Sequence, residues 1–168
     1  MSRVAESRAV AQRVSLDPDW FLKNRVRASV LLDAPPKHPH IVRVAPEGAF
    51  VTRFALPLEL CQPQNRTRHA QPWKLAKLRS QCKLVMVAQW GRRRTEPLTG
   101  RPMVRCIRFS SIEPDKYNDG FKIAVDRLVE LHFIADDKPA LCDLHQWWEY
   151  APPRQGFGIV EVWTGREP

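Results

Sequence analysis

Several things this sequence lacks narrow its class. No stretch approaches the roughly 18 consecutive apolar residues that a membrane span requires, and the first 15 residues mix charge with Ala and Val instead of carrying an apolar signal core. A cytoplasmic protein is expected. Cysteine is sparse and scattered: Cys61, Cys82, Cys106 and Cys142 form no C-x-x-C pair and have no His pair nearby at zinc-ligand spacing, so they read as reduced structural thiols. There is no internal repeat. The Asn65-Arg66-Thr67 triplet fits a glycosylation acceptor, but nothing else suggests secretion, so it is read as chance.

Acidic residues are scarce over most of the chain. Residues 1 to 112 hold 21 Lys+Arg against 7 Asp+Glu, whereas residues 113 to 168 hold 6 against 11. The overall charge of +9 is thus a basic body joined to one acidic zone. That division suits a metal-dependent nuclease, in which cations hold phosphates and carboxylates hold the metal that bridges to them. The plainer alternative is an ordinary basic surface with an acidic helix.

At 168 residues and 43% hydrophobic, the chain can build one core of ordinary size, and two regions are expected. Residues 1 to 48 read as an N-terminal extension. Within it, a short helix begins near Trp20 and runs through Val30, with Ser15 or Asp17 as cap and Pro18 in the first turn. Ala34-Pro35-Pro36-Lys37-His38-Pro39-His40 then reads as a solvated Pro-rich linker in preference to a His-His metal chelate.

Residues 49 to 168 read as the main domain, of α+β class. Alternation from Phe50 to Leu56 predicts a strand ending at Leu56-Pro57, and Gln62 to Pro72 a polar loop. Pro72 to Trp90, closed by Gly91, predicts a long helix with Lys74, Lys77, Arg79 and Lys83 on its outer surface. The basic run Arg92-Arg93-Arg94 precedes a strand from Met103 to about Ser110. A second helix is expected from about Asn118 to Leu131, and two strands from Leu141 to Tyr150 and Gly158 to Trp163. The expected architecture is a mixed sheet packed by two main helices. On the Leu141 strand, one of Trp147 and Trp148 should pack in the core while the other lies at an interface or stacks on a base.

The candidate chemistry lies between Asp115 and Asp137. Asp119, Lys122 and Asp126 are spaced i, i+3, i+7 and share one helical face opposite Phe121, Val125 and Leu128. Asp136-Asp137 follows the apolar Phe133-Ile134, where a chain leaving the core presents two carboxylates. Hard cations such as Mg2+ want oxygen ligands, and a Lys among them can balance charge developing on a phosphate. The alternative is a surface ion-pair ladder followed by a solvated turn.

Residues from about Phe50 to Trp163 resemble the RusA family of phage-type Holliday junction resolvases. The resemblance is carried by Leu56-Pro57, by the Asn65-Arg66-Thr67-Arg68-His69 loop, by Asn118 through Leu128 with Lys122 and Asp126, and by Ile134-Ala135-Asp136-Asp137. Its most specific element is the interval from Lys122 to Asp136-Asp137. The resemblance implies a homodimer that binds four-way DNA junctions and cuts them using Mg2+, with Mn2+ as an alternative ion, in recombination or repair. It implies catalytic roles for Lys122 and Asp137 and metal-binding roles for Asp115, Asp119, Asp136 and Asp137. Arg66, Arg68, Lys74, Lys77, Arg92, Arg93 and Arg94 would then track DNA phosphates.

One departure stands out. The family's Asp-x-Asp-Asn is here Asp115-Lys116-Tyr117-Asn118-Asp119, with Asn118 at the second Asp position counted from Lys122. Either Asp119 supplies that carboxylate, or Asn118 replaces it and leaves a DNA-binding protein with little cutting ability.

Overall fold

Pro18 cannot donate a backbone hydrogen bond and has its φ preset for a helix, and Asp17 just before it accepts from the Asp19 backbone N–H at 3.0 Å. Together they start helix α1, Pro18–Asp33. The computed structural model describes residues 16–61, 71–91, 93–115 and 120–167. In these, α1 is followed by β1 (Phe50–Leu56), a 3-10 turn (Leu58–Leu60), α2 (Pro72–Trp90), β2 (Met103–Ser110), α3 (Lys122–Glu130), β3 (Asp143–Tyr150) and β4 (Phe157–Trp163). The fold is α+β, as expected from the alternating patterns. No described helix is long and apolar enough to cross a membrane.

The four strands form one mixed sheet in the order β1-β4-β2-β3, with β2 and β3 parallel and the other neighbours antiparallel. Alternation along each strand sends successive side chains to opposite faces. Phe54 on one face meets Phe133 edge to face at 5.4 Å, below Trp90 of α2, and this side is covered by α2 and α3. Arg53 on the other face reaches the Arg25 carbonyl and the Ser29 hydroxyl of α1. The sheet is therefore sandwiched between α1 and the α2–α3 pair. Phe21 and Ala28 of α1 belong to the continuous core, so the helix in the N-terminal region is packed onto the main domain.

The α1 side carries an unusual row of charges. Glu161 at the centre of β4 is wholly buried; it accepts from Arg53 Nε at 2.8 Å on one neighbouring strand and lies 3.1 Å from Arg105 Nη1 on the other. Burial drives the Arg105 guanidinium below its ordinary pKa, while Glu161 works in the opposite direction. A second pair extends the row: Arg43 grips Glu149 through Nε at 2.6 Å and Nη2 at 3.0 Å, and also donates to the Leu31, Leu32 and Ala34 carbonyls at the end of α1. Carbonyls left without helical partners are thereby satisfied, and residues 34–43 are fastened to the sheet.

The Pro-rich segment is more than a solvated linker. The His38 ring lies 5.1 Å from Trp148, His40 stacks on the same indole, and the Lys37 ammonium sits 4.9 Å over Tyr150. Trp148 is buried and donates to the Ser110 carbonyl at 3.0 Å. Trp147 is half-buried with its N–H on Glu149, and Arg105 lies against its ring. Trp148 is thus the one of the pair that packs in the core, and Trp147 stays half-buried on the opposite face.

Two tight approaches fix the rest. At Gly158 a side-chain carbon would lie 2.3 Å from Cys61 Sγ, so only glycine lets the 3-10 turn settle on β4. On the exposed edge of β1, the Gln89 amide accepts from the Ala55 N–H and donates to its carbonyl, both at 2.8 Å, imitating a neighbouring strand. All four cysteines are buried and none is in a disulfide, in keeping with structural thiols. Burial pushes the Cys82 thiol up to about 12 and the Cys142 thiol up to about 11.

Candidate active site

Helix α3 is built from one apolar and one polar side. Ile123, Ala124, Val125 and Leu128 are buried, and Phe121 just before the helix is buried with them. Lys122 and Asp126, one turn apart, are left on the solvent side. The expected start near Asn118 lies outside the described residues, and the observed helix begins at Lys122. After Glu130 the chain turns sharply at His132, whose φ of 59° is left-handed, then buries Phe133 and Ile134. Asp136 and Asp137 emerge directly after that anchor.

The turn brings the second part of the predicted constellation onto the first. Lys122 Nζ lies 2.6 Å from Asp137 Oδ2 and 2.8 Å from Asp126 Oδ1. The Asp137 backbone N–H donates to Asp136 Oδ1 at 2.7 Å, and Asp136 Oδ2 lies 3.0 Å from Lys138 Nζ. Five charged groups thus form one chain along an open surface, with the Lys122 side chain 45% exposed and Asp137 32%.

Electrostatics favour the charged forms of Lys122 and Asp136. Hydrogen bonds from Lys122 first to Asp126 and then to Asp137 raise the ammonium pKa far above its ordinary value. Lys138 is the main cause of the lowered Asp136 pKa, aided by the side chain and N–H of Asp137. Near neutral pH, Lys122 is therefore a fixed cation and no proton acceptor. A lysine in the first turn also opposes the helix macrodipole, and Lys followed by Asp at i+4 is the weaker orientation of such a pair. The sequence accepts a local electrostatic conflict here, and two carboxylates offset it. Local rules are broken in this manner mainly where function requires it.

The donor set suits a hard cation on one side only. Asp136 and Asp137 offer carboxylate oxygens, and Mg2+ commonly takes one or two carboxylates, completing its shell with water and substrate oxygens. Among the described residues no three His, Cys, Asp or Glu side chains gather as a metal-binding group. Asp115 is exposed and forms no such group with the pair; Asp119, expected to join them, lies outside the described residues. What the arrangement offers is a two-carboxylate platform with a permanent cation beside it.

The expected phosphate contacts divide similarly. Lys74 and Lys77 are exposed on α2, whose first half buries little, with Trp73 61% exposed. Arg93 reaches the His132 ring and Arg94 lies over Phe133. Arg66, Arg68 and Arg92 fall outside the described residues. Two participants were not singled out from sequence as site residues. Lys138 was signalled by a basic residue directly after Asp136-Asp137. Asp126 shares the face of Lys122 in the sequence pattern but was given no catalytic or metal-binding role there.

The chain matches no family model, no curated protein and no solved structure.

Proposed function

We propose that this protein is a divalent-metal-dependent endodeoxyribonuclease of the RusA type that cuts branched DNA. The observation that carries the reading is the closure of Lys122 onto Asp137 at 2.6 Å, with Asp136 held alongside. A spacing of fifteen residues in the sequence becomes a single charged surface. Asp136 and Asp137 would hold the metal, with Asp115 and Asp119 as the further candidates. A bound Mg2+ would lower the pKa of an attacking water and stabilise the leaving oxygen. The protein's own part is to hold charge in place: Lys122, protonated throughout, turns from Asp137 toward a phosphate oxygen, and Asp126 keeps its ammonium aimed. The exposed lysines of α2 would position duplex arms without reading sequence. A homodimer would offer two such surfaces, one for each strand to be cut across a junction.

A second reading is a DNA-binding protein on the same scaffold that does not cut, since Lys122 already neutralises Asp137 in this arrangement. A synthetic four-way junction incubated with the protein and Mg2+ separates the two. The nuclease reading expects paired nicks that Asp137→Asn abolishes while junction binding persists. Salt-sensitive binding with no nicking selects the second, and absence of binding contradicts both.

A further inference from the structure

At the far end of α3 from Lys122 lies a small cavity of about 280 Å3 lined by Trp90, Arg93, Arg94 and Thr95. Its chemistry is specific. The Arg93 guanidinium contacts His132 Nε2, and His132 Nδ1 faces the Thr95 carbonyl at 3.2 Å. Arg94 donates to the Glu96 carbonyl and lies 5.8 Å over the Phe133 ring. The hydrogen bond of Arg94 thus goes to a neutral acceptor, while Arg93 also acts on the Glu130 carboxylate and helps to lower its pKa, behind the larger effect of Lys83. His132 holds its left-handed φ of 59° in this wall, and a non-glycine residue in that region costs energy that folds tend to retain at binding sites. Trp90 supplies an aromatic wall, braced edge to face by Phe133 at 5.0 Å.

Two guanidinium groups beside a braced indole match a phosphate joined to a planar base. We propose that this cavity is a nucleotide subsite for single-stranded DNA, in which Arg93 and Arg94 hold one backbone phosphate and Trp90 takes the adjoining base. The cavity is large enough for about one nucleotide. The nine-residue helix that begins at Lys122 lies between that residue and the cavity, roughly 13 Å along the axis, or about four base-pair steps of a duplex. An unpaired nucleotide held here would lie a few steps from a phosphate at Lys122, as at a branch point. The inference takes its ligand class from the nuclease reading above, but the site itself rests on its own residues.

The test is fluorescence anisotropy of a fluorescein-labelled oligodeoxythymidine titrated with the full chain at several salt concentrations. The double variant Arg93→Gln, Arg94→Gln should weaken binding about tenfold near physiological salt and flatten the slope of log K against log salt by about 0.7, the contribution of one single-strand phosphate. Trp90→Leu should weaken it at least about fivefold and leave the slope unchanged, because stacking releases no counterions. Each variant's thermal midpoint reports whether it folds, and the two arginine changes, at exposed Arg93 and half-buried Arg94, serve should the Trp90 variant unfold. An unchanged slope in the arginine variant, or no binding by the unaltered protein, overturns the subsite. The same preparations assayed for junction cleavage keep the readings apart. Oligonucleotide binding without cleavage contradicts the nuclease and leaves the subsite standing; cleavage with an unchanged slope does the reverse.

Discussion

Two clusters of charge in this molecule have five members each and opposite surroundings. On the α1 side of the sheet, Arg53, Arg105 and Arg43 meet Glu161 and Glu149 with almost no solvent; at α3, Lys122 and Lys138 meet Asp126, Asp136 and Asp137 in the open. Buried ions have lost their hydration, so each depends on its partner, and removing one is expensive. Exposed ions keep water as an alternative partner, and their mutual attraction contributes little to stability. The first cluster is suited to fastening α1 and residues 34–43 to the sheet. The second can exchange its partners for a metal or a phosphate at small cost, as a reactive site must.

The contrast can be broken at its strongest point first. Glu161→Gln removes the charge facing Arg53 and Arg105 and should destabilise the fold by about 3 to 5 kcal/mol, read from the urea midpoint. The matching triple change Arg53→Met, Glu161→Leu, Arg105→Met should recover most of that loss, since apolar packing of similar volume replaces buried ions with little penalty. A loss below about 1 kcal/mol for Glu161→Gln would show the row to be as dispensable as a surface pair.

A weaker effect comes from the buried thiols. Cys82 titrates near 9.0 when exposed and about 12 in the fold, so the folded state holds the proton that the unfolded chain releases. A raised folded pKa means that this stabilisation is complete below pH 9 and declines between about pH 9 and 12. At about pH 10 the loss is roughly 1.4 kcal/mol for one such thiol, and Cys82→Ala should flatten the alkaline fall by that amount in urea unfolding. An identical alkaline slope in the variant would place the thiol elsewhere. Smallest of all, Asp126→Asn on the open cluster should change stability by less than about 0.5 kcal/mol. A larger change would mean that the α3 cluster is structural after all.

The difference between the clusters also decides what could be read from sequence. Strand alternation and the Pro and Gly boundaries reveal β1, α2 and β2 almost to the residue, because those signals are local. Lys122 and Asp137 were brought to one site by the resemblance that their interval carries, and one short helix and one tight turn make that contact. The row of Arg53, Glu161 and Arg105 could not be read from sequence, because it exists only once β4 is inserted between β1 and β2. The packing of His38 and His40 on Trp148 was hidden for the same reason, since a Pro-rich segment carries no periodicity to show which surface it covers. Asp126 shares the face of Lys122 in any helical reading, but only the turn through His132 shows that it and Asp137 hold the same ammonium.

The central claim is that the open cluster exists for chemistry, and Asp137→Asn addresses it most directly. Junction nicking in Mg2+, junction affinity and the unfolding midpoint should be measured on the same protein. The account expects nicking to fall at least about a hundredfold, with affinity within about twofold and stability within about 1 kcal/mol of the unaltered chain. Nicking that survives the substitution, or a protein that loses its fold with its activity, would contradict it.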